Sequence, residues 1–110
     1  MDRGYLAEAE APTRDEIDHT TGVVLLEFGA PDCGYCRALA PQVQALVKEH
    51  PEVRHVKVED GPGQALGRSF QVRLWPNLVF LRDGQVLRQL ARPGAKDLKE
   101  AFASLAAPVG

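Results

Sequence analysis

Residues 23–37 read V-V-L-L-E-F-G-A-P-D-C-G-Y-C-R, an apolar run that breaks at Gly29 and Pro31 and ends in two cysteines spaced C-x-x-C. The run begins with two β-branched valines and stays mostly apolar, which is typical of a strand buried on both faces of a parallel sheet. We therefore predict a strand over Val23–Phe28. It is followed directly by the only cysteines of the chain, Cys33 and Cys36.

A helix is predicted after the cysteine pair. From Cys36 onward, one helical face carries the apolar residues Leu39, Val43, Leu46 and Val47. The helix should run to about His50 and stop at Pro51, with Pro41 inside it. The cysteines then lie at a helix N-terminus, where unpaired amides and the helix dipole stabilise a thiolate, so the first cysteine is the expected nucleophile.

Length and composition indicate an ordinary globular protein. The 110 residues suffice for a single domain over residues 1–110, and shares of 45% hydrophobic and 25% charged residues exclude a disordered or fibrous chain. A net charge of −2 without a basic cluster predicts no nucleic-acid binding, and no apolar stretch approaches the length needed to span a membrane. The acidic N-terminus favours a cytoplasmic protein, although a mature exported chain would read the same.

The segment before the buried strand predicts two short elements. Tyr5–Glu10 is a weak strand candidate, because its alternation of apolar and polar residues is poor. Thr13 and Glu16 have the spacing of a capping box, which predicts a short helix from there to about Thr20. Gly22 is well placed to end that helix.

Beyond the long helix, a second β-branched run predicts a strand over Val53–Val58. The turn D-G-P-G at residues 60–63 then leads into a short helix that ends near Phe70, with Asp60 as its candidate N-cap.

The last third of the chain predicts a hairpin and a helix. Leu78–Leu81 is apolar, and the turn at Asp83 and Gly84 is a strong signal for two antiparallel strands. A final helix follows, with the apolar stripe Leu98, Ala101, Phe102 and Leu105. The predicted element order is β-α-β-α-β-α-β-β-α.

At this point the chain resembles the thioredoxin family from about residue 13 to residue 105. The resemblance rests on four matching places: the motif Cys33-Gly34-Tyr35-Cys36, Pro41 in the helix, Pro76 before an apolar strand, and the hairpin Asp83-Gly84. It implies an α/β protein with the thioredoxin fold, in which a central mixed sheet of four to five strands is flanked by about four helices. It also implies dithiol-disulfide chemistry and a cis peptide bond between Trp75 and Pro76.

Three residues depart from the pattern of thioredoxins proper. Asp32 stands where the family usually has a tryptophan, the dipeptide between the cysteines is Gly-Tyr instead of Gly-Pro, and Trp75 replaces a smaller residue before the proline. The first departure leaves substrate choice open, and the second leaves the redox potential open, because this dipeptide influences it in the family. Trp75 could refill the apolar surface lost at Asp32.

Glu27 lies inside the buried run, at the place where the resemblance puts a buried acid behind the cysteines. A carboxyl there could accept the proton of the second thiol, directly or through a water. The alternative is a glutamate that reaches solvent from the strand end. Lys57, on the neighbouring strand, could modulate the site by pairing with Glu27, and a solvated lysine is the equally weighted alternative.

Cys33, Cys36, His50 and His55 satisfy the bare spacing of a zinc site with two cysteines and two histidines. A continuous helix from Cys36 to near His50 would separate those groups by roughly 20 Å, far more than a zinc-sulfur bond of about 2.3 Å. We therefore predict no metal and no cofactor beyond the two thiols, and we expect both histidines at the surface. A purely structural thiol pair is the remaining alternative for the cysteines.

The resulting functional prediction is a thiol-disulfide oxidoreductase that reduces disulfide-containing proteins as a monomer, with a thioredoxin reductase as its electron donor. Cys33 attacks and Cys36 resolves, with Glu27 and Pro76 as further catalytic residues. Gly34, Tyr35 and Trp75 are the predicted substrate-binding residues. An exported form could instead work as an oxidase or isomerase, and a non-catalytic peptide-binding or assembly-chaperone protein is the alternative from another class.

Overall fold

The computed structural model describes residues 4–106 and contains four strands and four helices within them. In chain order these are α1 Arg14–Asp18, β1 Val23–Gly29, α2 Gly34–Glu49, β2 Arg54–Glu59, α3 Ala65–Ser69, β3 Asn77–Arg82, β4 Gln85–Ala91 and α4 Ala95–Ala106. The strands form one mixed sheet in the order β2-β1-β3-β4. β2 is parallel to β1, whereas β3 runs antiparallel to both β1 and β4. The predicted mixed sheet with four flanking helices is confirmed.

β1 is an inner strand of this sheet and is buried from Val24 to Gly29. Its position explains the apolar sequence, because both faces of an inner strand are covered by helices. In register, Glu27 of β1 lies between Lys57 of β2 and Leu78 of β3. The strand is one residue longer than predicted, and its last residue leads directly into the cysteine loop.

Two apolar clusters cover the two faces of the sheet. The cluster under α2 and α4 contains Leu25, Leu39, Val43, Val53, Leu78, Phe80, Leu98, Ala101, Phe102 and Leu105. The cluster under α1 and α3 contains Ile17, Val24, Leu26, Phe28, Val58, Leu66, Phe70, Val79 and Leu81. The predicted stripe of the last helix is therefore confirmed as core, since all four of its residues are buried.

α1 begins with the predicted capping box. The Glu16 amide donates to the Thr13 hydroxyl at 3.1 Å, and the Glu16 carboxylate accepts from the Thr13 amide at 2.9 Å. The helix ends at Asp18, earlier than expected, and Gly22 does not terminate it. Gly22 instead has a φ of +84° in the turn before β1, where its amide donates to the Asp83 side chain at 2.7 Å.

Two further predictions were wrong in detail. Asp60 does not cap α3, because that helix starts later, with Gln64 at its N-cap. The weak strand over Tyr5–Glu10 is reduced to one parallel bridge between Leu6 and Val58, and the chain turns away directly afterwards.

Within residues 4–106, no helix is long and apolar enough to cross a membrane.

Candidate active site

Cys33 occupies the N-cap of α2 and is partly exposed. Its extended backbone, with φ −84° and ψ 116°, turns the sulfur back over the first helical turn, where the Cys36 amide donates to Cys33 Sγ at 3.2 Å. A helix N-terminus presents unpaired N–H groups and a positive partial charge, both of which stabilise a thiolate. The predicted placement of the first cysteine at the helix N-terminus is confirmed.

Cys36 is a free thiol like Cys33, but it is only 2% exposed. Burial, with a smaller contribution from the neighbouring Cys33, raises the pKa of the Cys36 thiol to about 11. The sulfur lies over Gly29, where a Cβ atom would stand 2.7 Å from Cys36 Sγ. The backbone at Gly29 therefore leaves the space that the second sulfur fills.

Tyr5, which no motif in the sequence indicates, is part of this site. Its hydroxyl lies beside the Cys36 sulfur, since a Cβ at Gly29 would lie 2.8 Å from the hydroxyl and 2.7 Å from the sulfur, and a hydrogen bond from this hydroxyl acts to lower the pKa of the Cys36 thiol. Burial, followed by the charge of Glu27, raises the pKa of Tyr5 well above its usual range. The only sequence signal near this contact is the weak strand candidate at residues 5–10, of which the structure keeps one bridge to β2, at the neighbouring residue Leu6.

Glu27 is buried, at 1% exposure, so the alternative of a glutamate reaching solvent is wrong. Its Oε1 atom lies 2.7 Å from Nε2 of His55, whose side chain is only 15% exposed. The prediction that His55 is a surface residue was therefore wrong. His55 and Glu27 lie on adjacent parallel strands, and their side chains are on the same face of the sheet. The spacing of cysteines and histidines in the sequence does not reveal this proximity, because it depends on the register of the two strands.

Lys57 is buried rather than solvated, at 8% exposure. Its ammonium group lies 4.4 Å from the centroid of the Tyr5 ring, a cation-π arrangement, and its Cα is the register partner of Glu27. The solvated alternative was thus wrong, and the predicted pairing of Lys57 with Glu27 stays a prediction.

Trp75 and Pro76 are joined by a cis peptide bond, as the resemblance implied. The Trp75 indole donates to the Asp60 carboxylate at 2.9 Å, which explains what Asp60 does in place of capping a helix. The Trp75 carbonyl accepts from Nε of Arg92 at 2.7 Å, and the same guanidinium lies 3.9 Å above the Tyr35 ring. Arg92 is a second residue that the sequence analysis missed.

A cavity of about 190 Å³ lies in front of the cysteine helix, lined by Tyr35, Ala38, Leu39, Gln42, Pro76, Arg92 and Pro93. Tyr35 is 60% exposed and Leu74 is 49% exposed, so large apolar side chains face solvent near this cavity. Gly34 begins α2, and nothing lies within 4 Å of the Cβ position at that residue. The surroundings of the motif are therefore open enough for an extended peptide.

The histidines do not form a metal site with the cysteines. His50 packs against the Phe102 ring, with centroids 5.4 Å apart, and its Nδ1 lies 3.6 Å from the Glu52 carboxylate. His50 is the C-cap of α2 and is partly exposed, with 24% of its side chain accessible. In the described part of the chain, no group of three or more His, Cys, Asp or Glu side chains could hold a metal ion.

A mixed sheet of this topology, with a C-x-x-C pair at the N-terminus of the helix after β1 and a cis-proline before β3, defines a thioredoxin-fold thiol-disulfide oxidoreductase. The thioredoxin family model matches residues 6–106. The chain belongs to the thioredoxin family, and Cys33 and Cys36 occupy the active-site position of a thiol-disulfide oxidoreductase.

Individual relatives agree with this assignment. The structure of thioredoxin 2 from Pseudomonas aeruginosa PAO1 in its reduced form is similar with a TM-score of 0.83 and 54% sequence identity, covering 96% of each chain. Thioredoxin Asp f 28 from Aspergillus fumigatus is 29% identical over 97% of this chain and 100% of its own length. A thioredoxin H-type from Picea mariana is 30% identical over 86% of this chain and 74% of its own.

Proposed function

We propose that this protein reduces disulfide bonds of other proteins, with Cys33 as the attacking thiol and Cys36 as the resolving thiol. The observation that carries the proposal is the difference between the two sulfurs. Cys33 is partly exposed at the N-cap of α2, whereas Cys36 is almost fully buried behind it. A substrate disulfide can therefore reach the first sulfur and not the second.

In the first step, the Cys33 thiolate attacks one sulfur of the substrate disulfide. A new bond forms between Cys33 and the substrate, the substrate S–S bond breaks, and the released substrate sulfur takes up a proton. The amide at the first turn of α2 donates to Cys33 Sγ and favours the thiolate before the attack.

In the second step, Cys36 attacks Cys33 Sγ, forms the internal disulfide and releases the other substrate sulfur as a thiol. Cys36 must first lose its proton, and its raised pKa of about 11 makes this unfavourable at neutral pH. Glu27 is the proposed acceptor, since it is a buried carboxylate on the same face of the sheet, and His55 holds it in place at 2.7 Å. Lys57 modulates this polar group from the neighbouring strand.

We assign substrate binding to the surface around Gly34, Tyr35, Trp75 and Pro76. Pro76 lacks a peptide N–H, so the backbone just before β3 does not complete a strand pair there, and an extended substrate segment can lie beside it. The exposed ring of Tyr35 offers apolar contact area, and Arg92 fixes the ring from above.

The direction of electron flow is part of the proposal. We place the protein in the cytoplasm, where thiols are kept reduced, with a thioredoxin reductase restoring the dithiol after each turnover. In this setting it acts as a monomer, without a metal or other cofactor, in electron transport and thiol homeostasis. A reductase-coupled assay that follows NADPH consumption tests the proposed electron donor separately from the chemistry of the two cysteines.

Insulin reduction with dithiothreitol as donor tests the central proposal. The wild type should precipitate insulin chains, and Cys33→Ser should be inactive because the attack is lost. In a separate reaction without dithiothreitol, prereduced Cys36→Ser should instead accumulate a mixed disulfide between Cys33 and the substrate, visible on a non-reducing gel. A wild type without turnover, or equal activity in wild type and Cys33→Ser, would favour a non-catalytic peptide-binding protein.

A further inference from the structure

Tyr5 owes its position to a single bridge at the edge of the sheet. The Leu6 amide donates to the Lys57 carbonyl at 2.8 Å, and the Glu59 amide donates to the Leu6 carbonyl at 2.9 Å. These two bonds hold the segment before α1 alongside β2, although it forms no longer strand. The residue before Leu6 is thereby brought under the cysteine helix, 31 positions away from Cys36 in sequence.

The Tyr5 hydroxyl and the Cys36 sulfur share the space above Gly29. A Cβ at that glycine would lie 2.8 Å from the hydroxyl and 2.7 Å from the sulfur, so the two groups are neighbours at this point of β1. A cavity of about 200 Å³ adjoins them, with Lys57 and Ala40 among its lining residues. The contact is thus built from three separate parts of the chain.

The Tyr5 hydroxyl is suited to donate a hydrogen bond to the Cys36 sulfur, because it stays protonated. The pKa of Tyr5 is raised, first by burial and then by Glu27, so the phenol keeps its proton at neutral pH. The groups that face this pair are Glu27 and Lys57 from the sheet and Cys33 from the start of α2. Arg37, also on α2, lines the adjoining cavity.

We propose that Tyr5 is a catalytic residue of the resolving step: its hydroxyl donates a hydrogen bond to Cys36 Sγ and stabilises the thiolate that attacks Cys33. The inference rests on the proposed roles of the two cysteines. The proton of Cys36 goes to Glu27, and the new S–S bond forms between Cys36 and Cys33. The bond between Cys33 and the substrate breaks, and its electron pair leaves with the substrate sulfur. Tyr5 keeps its own proton throughout.

A single-turnover reaction of the reduced protein with dithiobis(nitrobenzoate) separates the two steps. Attack by Cys33 releases one coloured thiol, and resolution by Cys36 releases a second in a later phase of equal size. Tyr5→Phe keeps the ring and removes only the donor. A lost hydrogen bond to a charged sulfur lowers the thiolate population roughly 10- to 100-fold, and about half of this, on a logarithmic scale, is offset by higher nucleophilicity.

Tyr5→Phe should therefore slow the second phase about 3- to 10-fold and leave the first phase unchanged. The pH at which the second phase reaches half its maximal rate should move upward, which loss of packing alone would not cause. Ser69→Ala is the matched control, since it deletes a hydroxyl that bonds the Leu66 carbonyl far from the cysteines. Its two phases should equal those of the wild type.

Equal second phases and equal pH midpoints in Tyr5→Phe and wild type would overturn the role of Tyr5, while insulin reduction by the wild type would leave the proposed function standing. If Tyr5→Phe fails to melt cooperatively, a ring-fluorinated tyrosine at position 5 replaces it. This residue keeps the shape and makes the hydroxyl a stronger donor, so the second phase should become faster and its pH midpoint lower. An unchanged second phase with this residue would equally overturn the inference.

Discussion

The two faces of β1 differ sharply in what they bury. On the face toward α1 and α3, the strand contributes Val24, Leu26 and Phe28, all apolar core. On the face toward α2 and α4, the sequence passes from Leu25 through Glu27 to Gly29, from apolar core to a buried carboxylate to bare backbone. Because side chains alternate along a strand, one segment can serve packing on one face and chemistry on the other.

The largest expected effect comes from damaging the apolar face. Phe28 is fully buried, and its ring centroid lies 6.0 Å from that of Phe70, so Phe28→Ala should lower the free energy of unfolding by about 3–5 kcal/mol. Urea titration measures this loss. The folded fraction should still resolve disulfides at the wild-type rate, and a slower second phase in single turnover would mean that the two faces are not independent.

Glu27→Gln tests the chemical face in the opposite way. The amide is nearly isosteric and can still bond His55, but it accepts no proton, so the second phase should slow by roughly 100-fold while the melting temperature changes little. Glu100→Gln, an exposed substitution on α4, is the control. Unchanged turnover between pH 6 and 8 would remove Glu27 from the mechanism.

Gly29→Ala tests the end of β1, where the backbone packs directly against Cys36 and Tyr5. The added methyl would overlap both Cys36 Sγ and the Tyr5 hydroxyl, so one of them must shift. We expect a loss of about 1–3 kcal/mol in the free energy of unfolding, together with a slower resolving phase. Gly94→Ala, where nothing lies within 4 Å of the new methyl, should change neither quantity.

The smallest expected effect is a pH dependence of the reduced protein. Burial raises the pKa of Cys36 from its usual value of about 9 to about 11, so above pH 9 the unfolded chain binds fewer protons than the folded protein. Stability should therefore fall as the pH rises from about 9 through about 11. The melting temperature should fall less across this pH range in Cys36→Ser than in the wild type. If the melting temperature fell equally with pH in both proteins, the raised pKa of Cys36 would not be the cause.

The sequence predicted most of the frame, because local patterns determine it. The apolar run before the cysteines, the capping box at Thr13 and the turn at Asp83 each carry a signal within a few residues, and each was confirmed. The helix N-terminal position of Cys33 followed from the same local reasoning.

The polar surroundings of Cys36 were less predictable, because they depend on contacts between distant segments. Tyr5 reaches the site through one bridge to β2, and His55 reaches Glu27 through the register of two parallel strands. Arg92 reaches Trp75 from the end of β4. No local sequence pattern indicates these three contacts. The family resemblance indicated Glu27 and Pro76, but it did not indicate the residues that contact this part of the site.

The turn between β3 and β4 is fastened to the start of β1. Gly84 stands so close to the Asp18 carbonyl that a Cβ would overlap it, and Gly22 exchanges hydrogen bonds with Asp83. A tight hairpin tip usually invites grafted peptides or new chain ends in protein engineering. Here the turn lies at the end of the sheet opposite the cysteines and is bonded to the start of β1. A peptide inserted at Asp83-Gly84 would therefore break these contacts and separate β1 from the hairpin at that end.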